Sequence, residues 1–128
     1  MRILLDTHLL LWSVASSRRL PQAARSLILD AANDVFYSAA SVWEVAIKSA
    51  LRRRDFKADP AVLVRALAQS GFSELPVTAA HAARVAALPA VHRDPFDRLL
   101  VAQSLAEPMT LLTNDALLVS YGPLVQLV

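Results

Sequence analysis

Five acidic residues stand where carboxylates could work together: Asp6, Glu44, Asp94, Asp97 and Asp115. Asp6 follows the apolar run at residues 2–5, and Asp115 follows the run at 110–113. Glu44 falls early in a helical stretch after the β-branched and aromatic segment at 35–38, and Asp94 and Asp97 open a helical stretch at Pro95. In an open parallel sheet, ligands collect beyond the carboxyl ends of the strands. All five acids are therefore expected at helix amino ends on one side of such a sheet. Grouped carboxylates repel at short range, and some must keep a proton unless a cation is present. A divalent metal removes that conflict. It also suits phosphoryl chemistry, where one or two ions activate water and stabilise the attacking and leaving oxygens. With no cysteine in the chain, the ligands must be oxygen or imidazole, and an oxygen-rich site suits Mg²⁺ or Mn²⁺.

Each acid alone has a second explanation. Free N–H groups at a helix start attract carboxylates, so Asp6 and Asp115 also read as simple caps. Ser41 with Glu44 matches a capping box, and Glu44 with Lys48 forms an i, i+4 pair of favourable polarity. Asp94, before Pro95, reads as an N-cap and ranks below the other four acids as a ligand. Thr7 and Thr113 either position a carboxylate or make ordinary turn bonds. His8, His81 and His92 are widely separated in sequence, and each reads first as structural or surface.

The elements that must carry these residues alternate. Strands are expected at 2–5, 35–38, 74–77, 110–113 and 124–127, and helices at 7–15, from Pro21, at 41–53, from Pro60 to near Gly71, at 79–88, 95–106 and 115–120. Alternation of this kind predicts an α/β fold. Its centre is a mostly parallel sheet of four or five short strands with helices on both faces. The 128 residues fit one domain, 1–128, without a linker or repeat. With two glycines, a glycine-rich phosphate loop is excluded.

Composition narrows the setting. Apolar residues make up 55% and the mean hydropathy is +0.42, yet no stretch reaches the ~18 uncharged apolar residues of a membrane span. Asp6 and His8 interrupt the apolar amino terminus, which argues against a signal peptide. A cytoplasmic protein with an apolar contact surface is expected. Extra apolar residues on 41–51 and 61–68 suggest where that surface lies. The net charge is +2, with a basic run at Arg52, Arg53 and Arg54 near Lys48 and Lys57, and a basic pair at Arg18 and Arg19. Such runs either meet phosphates or solvate helix ends.

The segments ILLDTHLLLW, SAASVWEVAIK, HRDPFDRLLVAQSL and LLTND, in this order, resemble PIN-domain proteins, most closely the toxin ribonucleases of VapBC toxin–antitoxin systems. The resemblance spans nearly the whole chain. It implies that Asp6, Glu44, Asp97 and Asp115 match the four PIN acids and hold Mg²⁺ or Mn²⁺ for hydrolysis of RNA phosphodiesters. It also implies a homodimer and a cognate antitoxin laid in a groove leading to the acids. A housekeeping PIN nuclease and a non-catalytic RNA- or protein-binding PIN-like domain are the alternatives. A receiver domain would need paired acids after the first strand, and a haloacid-type phosphatase a DxD there; Asp6-Thr7-His8 supplies neither.

Overall fold

The computed structural model describes residues 1–52 and 57–128, so Arg53 and Arg54 of the basic run lie outside the described residues. Five strands form one sheet: β1 (Arg2–Leu5), β2 (Asp34–Ser38), β3 (Ser73–Leu75), β4 (Thr110–Thr113) and β5 (Val125–Leu127). Their order is β3-β2-β1-β4-β5, and every pairing is parallel. Among the described residues the α-helices are α1 (Thr7–Val14), α2 (Gln22–Leu29), α3 (Ala39–Ala50), α4 (Pro60–Ser70), α5 (Ala79–Arg84) and α6 (Pro95–Ala106). Short 3₁₀ turns follow at Val85–Ala87 and Ala116–Tyr121.

Period-two alternation in the central strands builds two cores. Ile3 and Leu5 of β1 and Leu112 of β4 face one side, with Leu9 and Leu10 of α1, Ala24 of α2, Val45 of α3 and Leu63 and Leu67 of α4. Leu4 and Leu111 face the other, with Leu100 and Val101 of α6, Met109 and Leu118. Burial on both faces explains why β1 and β4 read as continuous apolar runs. Each fully buried leucine contributes about 1.5–3 kcal/mol.

The chain leaves β1 towards β2 on one side and returns to β4 on the other. The strand order therefore reverses at β1, and a crevice is expected beyond the carboxyl ends of β1 and β4. Three helix starts are fixed by local chemistry: Asp59 caps α4 ahead of Pro60, Asp94 caps α6 ahead of Pro95, and Thr78 caps α5. The α4 helix ends on Gly71 at φ +82°, a left-handed position that glycine takes without strain.

The strand expected at 74–77 runs over Ser73–Leu75, the helix expected at 79–88 is helical only to Arg84, and the start of the third helix needs correction. Helix α3 begins at Ala39 and ends at Ala50, with Ser38 as its cap through Ala40 N. The strand runs straight into the helix, so Ser41 caps nothing and Glu44 lies in the second turn. Among the described residues no helix is long and apolar enough to cross a membrane.

Candidate metal centre

Asp6 leaves β1 with both carboxylate oxygens engaged. Oδ1 accepts from Leu9 N at 2.9 Å and caps α1; Oδ2 accepts from Thr113 Oγ1 at 2.6 Å and from Asn114 N at 3.3 Å. The residue is buried. Burial raises its carboxyl above the usual carboxylate range, and these bonds oppose the rise without cancelling it. Thr113 thus ties β4 to the acid of β1, and its Oγ1 also accepts from Asp115 N at 3.0 Å.

Glu44 is reached from α1. The Thr7 hydroxyl donates to Glu44 Oε1 at 2.6 Å and lies 2.9 Å from Ser41 Oγ. The other oxygen takes Lys48 Nζ at 2.5 Å, one turn further along α3. Lys48 also pairs with Asp94 Oδ2 at 2.8 Å. Burial disfavours the charge on Lys48, but the bonds to Asp94 and Glu44 outweigh it and hold the ammonium above its ordinary value. For Asp94, likewise, burial is opposed and outweighed by Lys48, so its carboxyl sits low. The capping-box reading of Ser41 and Glu44 fails because the helix starts earlier; Glu44 instead binds Thr7 and a buried lysine.

Asp94 also accepts from Phe96 N at 2.8 Å and Asp97 N at 3.4 Å. The cap of α6 is therefore Asp94, which leaves the Asp97 side chain to the centre. Burial, then the charges of Asp94 and Glu44, push the Asp97 carboxyl up to about 7; His92 opposes the rise and Asp6 adds to it. Asp97 thus feels Asp6, Glu44 and Asp94 at once.

Asp115 caps the last 3₁₀ turn through Leu117 N at 3.0 Å, and its Oδ2 lies 2.8 Å from His92 Nε2. His92 Nε2 is also 3.5 Å from Asp97 Oδ2. Sequence reasoning set His92 aside, yet it joins the two acids. The available signal was its place two residues before the Asp94 cap, whose N–H donates to His92 Nδ1 at 3.0 Å. That bond occupies the Nδ1 lone pair, so the neutral ring carries its proton on Nε2 and donates it to the carboxylates. One ligand atom from each of His92, Asp97 and Asp115 falls within 4.8 Å of the others, a spacing that suits a cation. In that tautomer Nε2 donates towards Asp115 and Asp97 and so orients both acids. A crowded oxygen donor set with a raised carboxyl at Asp97 fits a hard divalent ion.

Of the other histidines, His81 stands apart, whereas His8 lies close enough to Asp6 to oppose the rise of its carboxyl. His81 is buried beneath α6, accepts from Thr78 N through Nδ1, and lies 2.7 Å from Glu107 Oε2. His8 stacks obliquely with Trp12. The basic residues do not all face outward as solvation would have them, since Lys48 is spent inside the cluster.

The chain matches the PIN domain family over residues 3–122. Among solved structures it is similar to VapBC2 from Rickettsia felis, crystallised bound to a DNA fragment from their promoter. That likeness has a TM-score of 0.67 and 15% identity over 99% of this chain and 97% of that one, and it speaks to the fold. It is also similar to FitAcB from Neisseria gonorrhoeae, with a TM-score of 0.59 and 26% identity over 91% and 89% of the two chains. No curated protein matches by sequence. The parallel five-stranded sheet, the acids at the ends of its two central strands and the family match over most of its length together make this chain a member of the PIN domain family, whose members are generally nucleases.

Proposed function

We propose that this PIN domain is a divalent-metal-dependent ribonuclease and the toxin of a VapBC-type pair. Asp6, Glu44, Asp97 and Asp115 would hold Mg²⁺ or Mn²⁺, with Asp94 kept as cap and Lys48 partner. The observation that supports this best is Asp97, whose carboxyl is driven up to about 7 by burial and by its acidic neighbours. A group strained in this way is relieved by a bound cation and is a poor choice for a mere cap. When bound, the ion supplies an activated water and neutralises charge on the phosphodiester under attack.

The chain's own residues supply position. Thr113 and Thr7 hold Asp6 and Glu44 by short hydroxyl bonds, and His92 spans Asp97 and Asp115. Lys48 offsets Glu44 and Asp94, so the charge left over is concentrated on Asp6, Asp97 and Asp115.

For partners we propose a homodimer and a cytoplasmic antitoxin whose amphipathic segment covers exposed apolar residues near the acids. Trp43 is 58% exposed with its ring edge-on to Phe96, and Leu51 is 69% exposed at the end of α3. Val62 and Val64 are also exposed, on different faces of α4. The likeness to VapBC2 supports an antitoxin of the VapB kind, and promoter DNA as a ligand of the pair.

The test is cleavage of single-stranded RNA by the purified chain. Activity with Mg²⁺ or Mn²⁺, its loss in chelator, and its loss in Asp97→Asn are expected. Undiminished cleavage by Asp97→Asn, or full activity in chelator, would refute the proposal.

A further inference from the structure

A polyanionic substrate must approach a cluster of carboxylates, and its phosphates need cations besides the metal. The helices that carry Glu44 and Asp97 do not offer them. Lys48, the basic residue of α3, is bound by Glu44 and Asp94. Arg98, the basic residue of α6, donates to Pro89 O, Val85 O and the Tyr121 hydroxyl.

Arg19 is placed differently. A cavity of about 400 Å³ opens beside Asp6 and Asp115, and its wall is completed by His8, Trp12, Arg19 and Asn114. The Arg19 guanidinium lies 5.2 Å from the centre of the Trp12 ring, and the Trp12 and His8 rings are 5.8 Å apart. The backbone of Arg19 is fixed as well. Its N–H donates to Ser17 Oγ at 3.1 Å, and the next residue, Leu20, is anchored in the core. An exposed arginine is thus held at both ends, with a permanent charge and a planar donor fork suited to phosphate. An indole face is the best aromatic support for such a cation.

We infer that this cavity is the subsite for the nucleotide next to the bond cleaved, with Arg19 pairing with that nucleotide's phosphate. Trp12 is a positioning residue that holds the guanidinium over the cavity. The substrate class rests on the ribonuclease reading above; the placement of Arg19 does not.

The experiment uses Asp97→Asn protein, which holds RNA without cutting it, and a fluorescently labelled single-stranded RNA oligonucleotide. Binding is followed by anisotropy across a salt series, with circular dichroism to confirm folding. Arg19→Ala should weaken binding about tenfold and reduce the slope of log affinity against log salt by about 0.7, the share of one single-strand phosphate contact. Arg19→Lys should keep the slope and lose part of the affinity, since an ammonium cannot reproduce the fork. Trp12→Leu should weaken binding, and adding it to Arg19→Ala should cause no further loss, because it acts through the arginine. Arg2→Ala removes the same charge at the opposite end of β1 and should leave the slope unchanged. An Arg19→Ala protein with parental affinity and slope, an equal loss in Arg2→Ala, or a parent that does not bind the oligonucleotide would overturn the subsite. Binding that depends on Arg19, in a native protein that cuts no RNA with metal present, would sink the ribonuclease reading and leave Arg19 as a phosphate-binding residue of this cavity.

Discussion

Replacing Asp97 by Asn should stabilise the metal-free protein at neutral and alkaline pH, an outcome opposite in sign to that of losing a helix-start acid. The carboxyl is held at about 7 in the folded chain, against an ordinary value of 3.8. The folded state therefore binds a proton more tightly than the unfolded state. Its contribution to stability is fully present below pH 3.8 and is lost as pH rises to about 7. The difference of 7 − 3.8, near 3 units, corresponds to roughly 4 kcal/mol at 1.36 kcal/mol per unit. The side chain is 19% exposed, so solvent screening trims this to about 2–4 kcal/mol. About half of it should have developed by pH 5.5. Asn keeps the shape and cannot ionise. In chelator, urea unfolding should give matching stabilities for the two proteins near pH 4, and a variant about 2–4 kcal/mol more stable at pH 8. In a domain of this size that is on the order of 10 °C in Tm. If Asp97 served only the α6 dipole, the variant would instead be about 0.3–1 kcal/mol less stable at high pH. Excess Mg²⁺ should largely close the gap, since it stabilises only the chain that binds it, by about 2.7 kcal/mol at a hundredfold excess over Kd. A variant that is no more stable than the parent at pH 8 in chelator would refute the crowded-carboxylate account.

Three further substitutions probe the supports of the centre. Thr113→Val removes the donor to Asp6 and the acceptor of Asp115 N; it should cost about 1–3 kcal/mol in urea unfolding and lower cleavage more than RNA binding. Lys48→Met leaves Glu44 buried beside Asp94 without its counter-ion; a loss of about 3–5 kcal/mol is expected, and a neutral result would show that the pair is not needed for folding. His92→Ala should weaken metal binding measured by calorimetry by about 10–100-fold while leaving it detectable, as for a residue that orients ligands; abolition of binding would make His92 itself a ligand.

Much of the fold was legible because its signals are local. The strands at 2–5 and 110–113 and the helix from Pro95 to Ala106 fall at the expected residues, since short apolar runs and a proline at the first helical turn leave little choice. Boundaries failed where tertiary bonds decide them. The start of α3 was placed at Ser41 because Ser-x-x-Glu imitates a capping box, yet Ser38 takes the cap and also donates to Gln103 Oε1 on α6. That bond spans sixty-five residues of sequence, and no local pattern reports it. The role of His92 is hidden for the same reason, because its partner Asp115 lies twenty-three residues further along the chain. The Lys48 bridge was half visible, since the Glu44 pairing follows from helical spacing while the Asp94 pairing depends on how α3 meets α6.

The sequence poses cap and metal ligand as alternatives, and the structure shows capping carboxylates whose second oxygen reaches across the sheet edge. Asp6 gives one oxygen to Leu9 N and the other to Thr113 and Asn114. Asp115 divides its oxygens in the same way, one to Leu117 N and one towards His92. A cap fixes the rotamer of the acid by a bond at its own helix start, so capping is what pre-positions a carboxylate at the sheet edge. Asp94 and Asp97 divide the same work between two residues. Asp94 caps α6 and pairs with Lys48; Asp97, relieved of capping, takes the strained position and the raised carboxyl. The acid that does not cap its helix is thus pushed up by burial and by the charges of its neighbours, as Asp6 is pushed up by burial. A divalent ion would therefore meet Asp97 without displacing a helix-start bond, whereas at Asp6 it would share oxygens already bound to Leu9, Thr113 and Asn114.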